Sequence, residues 1–443
     1  MIAFAFLAVA LLQSPAPPAQ AKLAARKDAA CQASAAWHAS AASQASAAWH
    51  ASAASQASAA SQASAASQTF AGSQKDTGSQ KDATSQKVAA PQRDIGAVLE
   101  PIRLQFDVPA LAAAIVSRGE LEAVGVCGLR ERGSKDPVTL EDRFHLGSCT
   151  KAMTATLCAI LVEKKKLAWD SSVGDAFRSD VKDQVAAWKQ VQLEQLLTNR
   201  SGAPGSLDAN GLWASLLASK ESPRLQRLAL VRGVLVQEPE AAPGLKYIYS
   251  NAGFSIAGAM AERAAKCDFE ELIQRELFAP LGMKSAGFGP PGDGKQLDQP
   301  RGHRPDGSAV PWGAAADNPC AIAPAGRVHC TISDWAKFIA LHLDAENGRP
   351  RLLSAESFAK LHSPATGPGE KYAMGWLAAE RPWADGPVLN HSGSNTMWFC
   401  VAWLAPKKDF AVLVCCNQGG DAAQKACDAV ASALIQEHAK VAR

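Results

Sequence analysis

The stretch "FHLGSCTKAMTATL", residues 144–157, decides how this chain is read. It sets Ser148 three places ahead of Lys151 at the start of a helix, because Met153, Leu157, Ile160 and Leu161 then fall near helical spacing. A serine at a helix N-terminus meets the positive end of the dipole and unpaired backbone N–H groups. A lysine at i+3 shares its face, and a desolvated amine can take the hydroxyl proton. A capping serine with an incidental lysine has the same spacing, and Ser357 and Lys360 repeat it within an ordinary amphipathic pattern. Lys164, Lys165 and Lys166 mark the solvated end of the helix, where cations suit the dipole. Cys149 is offset from Ser148 by about 100° around the helix axis and is assigned to packing.

Two further clusters set Ser148 apart from Ser357. "PGLKYIYSNAGF" holds Tyr249-Ser250-Asn251, a phenol and an amide two residues apart that project to one side of an extended backbone. The chain has only three tyrosines, which makes one here informative. "LNHSGSNTMW" holds His391-Ser392-Gly393, a polar side chain followed by a glycine that admits close approach at a strand edge. His145-Leu146-Gly147 fits the same third pattern, so that pattern alone carries little weight.

Taken in order, Ser-x-x-Lys, Tyr-x-Asn and His-x-Gly resemble the three motifs of the penicillin-recognising serine hydrolases, in particular the class C β-lactamase and D-alanyl-D-alanine carboxypeptidase branch. The resemblance spans about residues 95–440 and is supported by "VPALAAAIV", "LLTNRSGAPG", "PAGRVHCTISDWAKFI", "LLSAESFAKL" and "YAMGWL". It implies an α/β (α+β) fold, with an antiparallel sheet flanked by helices plus a mostly helical subdomain. It also implies Ser148 as acylated nucleophile, Lys151 as its proton partner and Tyr249 as proton shuttle, with His391 completing the catalytic set. Asn251, Gly393 and Ser394 would bind substrate, with the backbone N–H groups of Ser148 and Ser394 forming an oxyanion hole.

Many β-lactamases carry lysine where His391 stands. Histidine is mostly neutral near pH 7, so the resemblance implies hydrolysis of a peptide, amide or ester, D-peptidase- or esterase-like, with only weak β-lactamase activity. A non-turnover penicillin- or cell-wall-peptide-binding sensor of the same fold is the alternative. Arg200, Arg327, His329 and Cys330 depart from the family's usual residues.

Local patterns agree with that fold. "VPALAAAIVSRGELEAVGVCGLR" reads as a hairpin about Arg118-Gly119, and "WFCVAWLAPKKDFAVLVCCN" as a second about Pro406–Asp409, followed by a helix from about Asp421 to His438. Strands at both ends around a helical middle suit an antiparallel sheet flanked by helices. Cys127, Cys158, Cys400 and Cys415 lie in apolar runs and are read as buried small hydrophobes; adjacent Cys415 and Cys416 should face opposite sides of a strand.

The whole chain divides into three. Residues 1–21 carry an apolar run, Ile2–Leu12, and Ala19-Gln20-Ala21, as a signal peptide does, which places the protein in the periplasm or outside the cell. Residues 22–93 are an Ala/Ser/Gln linker whose "QASAAS" hexads fit neither helical nor strand periodicity. Residues 94–440 form the hydrolase domain. With 45 basic and 42 acidic residues the chain has no clustered basic face, so nucleic acid is not an expected partner; a small molecule or peptide, cell-wall-derived in one version, is. There is no G-x-S-x-G elbow, H-E-x-x-H pair or phosphate loop, and no metal or cofactor is expected.

Overall fold

The structure, a computed structural model, describes residues 92–441; the leader and the hexad segment read above lie outside the described residues. An eight-stranded sheet forms the centre. Its strands are β1 (Arg93–Asp94), β2 (Ala110–Ser117), β3 (Glu120–Gly128), β7 (Tyr372–Ala373), β8 (Trp376–Arg381), β9 (Gly386–Ser394), β10 (Phe399–Ala405) and β11 (Phe410–Cys416). They lie in the order β1-β3-β2-β11-β10-β9-β8-β7, antiparallel throughout except for the β1–β3 pair.

Both hairpins form where the turn residues can adopt positive φ. Arg118 and Gly119 sit at φ 53° and 76° between β2 and β3, and Asp409 takes φ 48° after the short turn Pro406–Lys408 between β10 and β11. The first and last parts of the chain meet along β2 and β11, with Ala112 opposite Cys415.

Alternation along β11 divides the core in two. Leu413 and Cys415 join the larger core on one face, while Val412, Val414 and Cys416 join a second core on the other, as the adjacent cysteines require. The second core is closed by α1 (Gly96–Gln105) and α7 (Asp421–Val441), with Leu99, Cys427, Val430 and Leu434 buried against the sheet. Both faces are therefore dry, which is why these strands read as continuous apolar runs.

On the larger face lie α2 (Thr150–Glu163), α3 (Pro223–Leu235), α4 (Asn251–Ala265), α5 (Ile332–Glu346) and α6 (Ala355–His362), together making the helical part of the expected architecture. In α2 every residue from Thr150 to Leu161 is buried. Met153, Leu157, Ile160 and Leu161 each contribute about 1.5–3 kcal/mol of transfer free energy there. Lys164, Lys165 and Lys166 are exposed past its end.

A feature absent from the sequence reading is a small second sheet, β4 (Arg143–His145), β5 (Gly287–Phe288) and β6 (Val328–Thr331), ordered β4-β6-β5. Strands of two to four residues carry too little alternation to be read. Its register, His145 opposite His329, aims the chain into the turn that bears Ser148. The ten described cysteines are free thiols; Cys158, Cys400 and Cys415 are buried, and Cys127 is half-buried.

Candidate active site

The chain leaves β4 at His145, makes one 3₁₀ turn over Gly147–Cys149, and enters α2. Gly147 has φ 46°, a left-handed conformation that suits glycine. Ser148 is not a cap: neither the turn nor α2 has a side-chain cap bond, and the residue at the N-cap of α2 is Cys149. The serine is half-exposed, while Lys151 behind it is fully buried.

Lys151 Nζ has three polar partners. It lies 3.1 Å from Ser148 Oγ, 2.7 Å from Asn251 Oδ1 and 2.9 Å from the carbonyl of Ala325. Burial lowers its pKa from 10.5 to about 7. A neutral amine has two N–H bonds and one lone pair. Asn251 and Ala325 present only acceptors and take the two N–H bonds, which leaves the lone pair facing the Ser148 hydroxyl.

Asn251 is the first residue of α4. The backbone is extended at Ser250, whose Oγ accepts the Gly253 N–H at 3.1 Å and donates to the Pro204 carbonyl at 2.6 Å. That cap fixes Tyr249 just ahead of the helix. Its ring centroid lies 4.6 Å from Lys151 Nζ, and burial raises its phenol well above the usual range despite a side-chain hydrogen bond with Ser148. Ser148, Lys151, Tyr249 and Asn251 are thus brought together.

His391 lies on β9, buried beside this group, with its ring 6.3 Å from that of Tyr249. Its Nδ1 is 2.6 Å from the Ser392 carbonyl and its Nε2 3.1 Å from Tyr372 Oη. The carbonyl only accepts, so the proton sits on Nδ1 and Tyr372 donates to Nε2. Burial, helped by Lys151, pushes the His391 pKa down to about 3. Both ring nitrogens are engaged, and the imidazole is neutral.

Gly393 and Gly147 allow two backbones to interlock. A Cβ on Gly393 would lie 2.1 Å from the Leu146 carbonyl and 2.8 Å from the Ser148 nitrogen; one on Gly147 would lie 2.4 Å from the Ser394 nitrogen. Only glycine fits at either place, and each glycine lies close against the other segment's backbone, Gly393 by Ser148 and Gly147 by Ser394.

Sequence reasoning missed several partners. Tyr372, on β7, gathers with Tyr247 and Tyr249 at centroid distances of 5.8 and 6.2 Å, so all three tyrosines of the chain meet here. "YAMGWL" contained that signal. Of the unexpected residues, Arg200 donates to the Pro368 carbonyl at 3.0 Å, and Arg327 pairs with Asp317 at 3.0 Å. His329 bonds the Gly289 carbonyl at 2.8 Å with its pKa lowered to about 4 by burial, and Cys330 is buried. The look-alike pair separates: Ser357 donates to Glu163 at 2.6 Å, while Lys360 donates to Glu194 at 2.6 Å. Cys149 is buried with Sγ 3.5 Å from Cys400 Sγ, and burial raises its thiol well above the ordinary value. It is unsuited to be a nucleophile.

This fold, with a lysine-backed serine beside a tyrosine and a paired-glycine backbone junction, defines the serine hydrolase class of β-lactamases and penicillin-binding proteins. The chain belongs to the Beta-lactamase family, whose family model matches residues 93–436. It is 27% identical over 263 residues to an unguisins hydrolase of Aspergillus violaceofuscus, covering 56% of this chain and 44% of that protein. It is 24% identical over 332 residues to penicillin-binding protein 4 of Amycolatopsis lactamdurans, covering 72% and 84%. Among solved structures, the octameric penicillin-binding protein homologue of Pyrococcus abyssi superposes with TM-score 0.63 at 22% identity, over 77% of this chain and 76% of that one. The chain thus spans less than half the length of the fungal relative. No described helix is long and apolar enough to cross a membrane.

Proposed function

We propose that this protein hydrolyses a peptide, amide or ester through an acyl-enzyme on Ser148. The observation that carries the reading is the buried Lys151 amine, 3.1 Å from Ser148 Oγ with its other two partners both acceptors. Neutral Lys151 takes the hydroxyl proton as Oγ attacks the substrate carbonyl carbon, and becomes ammonium. The carbonyl oxygen gains the negative charge and is received by the Ser148 and Ser394 N–H groups; such a donor is typically worth about 3 kcal/mol. Collapse of this intermediate expels the leaving group, which takes its proton from Tyr249 while Lys151 returns one to the phenol. Water then repeats the sequence against the ester, releasing the acid and restoring Ser148.

Asn251 holds Lys151 by its Oδ1, and His391 holds Tyr372. Lys151 and His391 are both held toward neutrality by burial, so the pocket lacks the permanent charge that lysine at 391 would give an anionic substrate. Neutral amides and esters fit that electrostatics. Export follows the same reading, supported by the Ile2–Leu12 run and Ala19-Gln20-Ala21, with residues 22–93 as spacer and 94–440 as catalytic domain.

The test treats wild type and Ser148→Ala with a fluorescent penicillin and with p-nitrophenyl acetate, following label by mass and ester turnover. Serine-dependent turnover, or label that decays, is the expected result. Persistent label without turnover would point instead to a sensor, and equal behaviour of the two proteins would refute the role of Ser148.

A further inference from the structure

Asp317 takes no part in the steps above, yet it touches the supports of both backbone donors. It is 5% exposed. Its Oδ1 lies 3.0 Å from His145 Nε2, 3.0 Å from Asn395 Nδ2 and 2.7 Å from the Asn318 N–H, and its Oδ2 lies 3.0 Å from Arg327 Nε. Burial opposes charge on this carboxyl, but His145 and Arg327 outweigh it and hold the group well below the usual carboxylate range. A fixed buried anion results.

Of the three side chains that reach this anion, His145 and Asn395 each lead to the junction. His145 accepts the Gly147 N–H on Nδ1 at 3.1 Å, which leaves Nε2 to face Asp317. Gly147 immediately precedes Ser148. Asn395 immediately follows Ser394, and its Oδ1 accepts the Met397 N–H at 3.3 Å, closing the turn where Thr396 sits at φ 77°. One carboxylate therefore clamps the residue before one donor and the residue after the other.

We propose that Asp317, acting through His145 and Asn395, is the positioning residue that sets the separation of the Ser148 and Ser394 N–H groups; this rests on the acyl-enzyme reading above. The clamp acts when charge develops on the carbonyl oxygen, not when substrate is first bound, so its loss lowers kcat rather than raising KM. Arg327 balances the anion, and His329 lies opposite His145 without joining the clamp.

The experiment compares wild type, Ser148→Ala, Asp317→Asn and Asn395→Ala. Steady-state kinetics on p-nitrophenyl acetate are combined with the carbonyl stretch of an acyl-enzyme made from a ¹³C-carbonyl-labelled penicillin. Asn395→Ala leaves Asp317 paired with Arg327 and His145, so it preserves the ion pair if Asp317→Asn fails to fold. The expected result is kcat lower by about 100-fold for Asp317→Asn and about 10-fold for Asn395→Ala, with KM within about threefold. The acyl carbonyl band should move to higher frequency in both, as its hydrogen bonds lengthen. An unmoved band in Asn395→Ala with unchanged kcat would overturn the clamp. Failure of wild type to show Ser148-dependent acylation would overturn the hydrolase reading itself, and the clamp with it.

Discussion

Replacing Lys151 by methionine tests the protonation state on which the chemistry rests. The fall of its pKa from 10.5 to about 7 disfavours the ammonium form by ~5 kcal/mol, at ~1.4 kcal/mol per pH unit. The sign follows from linkage. Between about pH 7 and pH 10.5 the unfolded chain holds a proton on this lysine that the folded chain lacks, so wild-type stability rises with pH there; below about 7 both states hold it and the cost is constant. Lys151→Met cannot titrate. It also leaves Asn251 Oδ1 and the Ala325 carbonyl without their donor, a loss independent of pH. Urea unfolding of both proteins followed by tryptophan fluorescence should show their stability difference changing by about 3 kcal/mol between pH 7 and 9.5, in favour of wild type as pH rises. Acylation of wild type should rise through an apparent pKa near 7. A stability difference independent of pH, or an acylation limb near 10, would show that Lys151 is an ordinary ammonium and refute its role as base.

Tyr249→Phe removes the phenol bonded to Ser148 and should lower kcat by about 10²–10³ with little change in KM, measured on p-nitrophenyl acetate. Gly393→Ala puts a methyl 2.1 Å from the Leu146 carbonyl, so β9 must part from the Ser148 turn; acylation should fall by about 10² or more, read with fluorescent penicillin. Cys149→Ala removes a buried thiol that no step uses, and should keep activity within about threefold while costing about 1 kcal/mol in urea unfolding.

The parts legible in the sequence are those whose information is local. Helical spacing from Met153 to Leu161 placed α2, and Arg118-Gly119 and Pro406–Asp409 placed two hairpins, because turn chemistry and period act over a few residues. Spacing could not separate Ser148 from Ser357. That distinction is burial: Lys151 is inaccessible beneath α4 and the Ala325 carbonyl, whereas Lys360 pairs with Glu194 at the surface. The supports of the site were illegible for the same reason. Ala325 lies 174 residues from Lys151, Asp317 meets His145 from a loop remote in sequence, and Tyr372 reaches His391 across β8. His145, which looked like a spurious copy of the third motif, proves to be bonded to the backbone beside Ser148.

One physical cause acts on Lys151, His391 and Tyr249 alike. Burial lowers Lys151, lowers His391 and raises Tyr249, and in each case it favours the neutral form. A histidine is the usual base for a serine, but His391 has spent Nδ1 on Ser392 and Nε2 on Tyr372 and has no nitrogen left for Oγ. The neutral lysine, favoured by burial, directs its lone pair at Oγ because its two N–H bonds are taken by oxygen acceptors. On the proposed acyl-enzyme reading, attack by Ser148 starts with Lys151 in its neutral form and creates an oxyanion and an ammonium together. Burial disfavours an isolated ammonium at Lys151, but at low dielectric an ammonium beside an oxyanion attracts more strongly than in water, which offsets part of that cost.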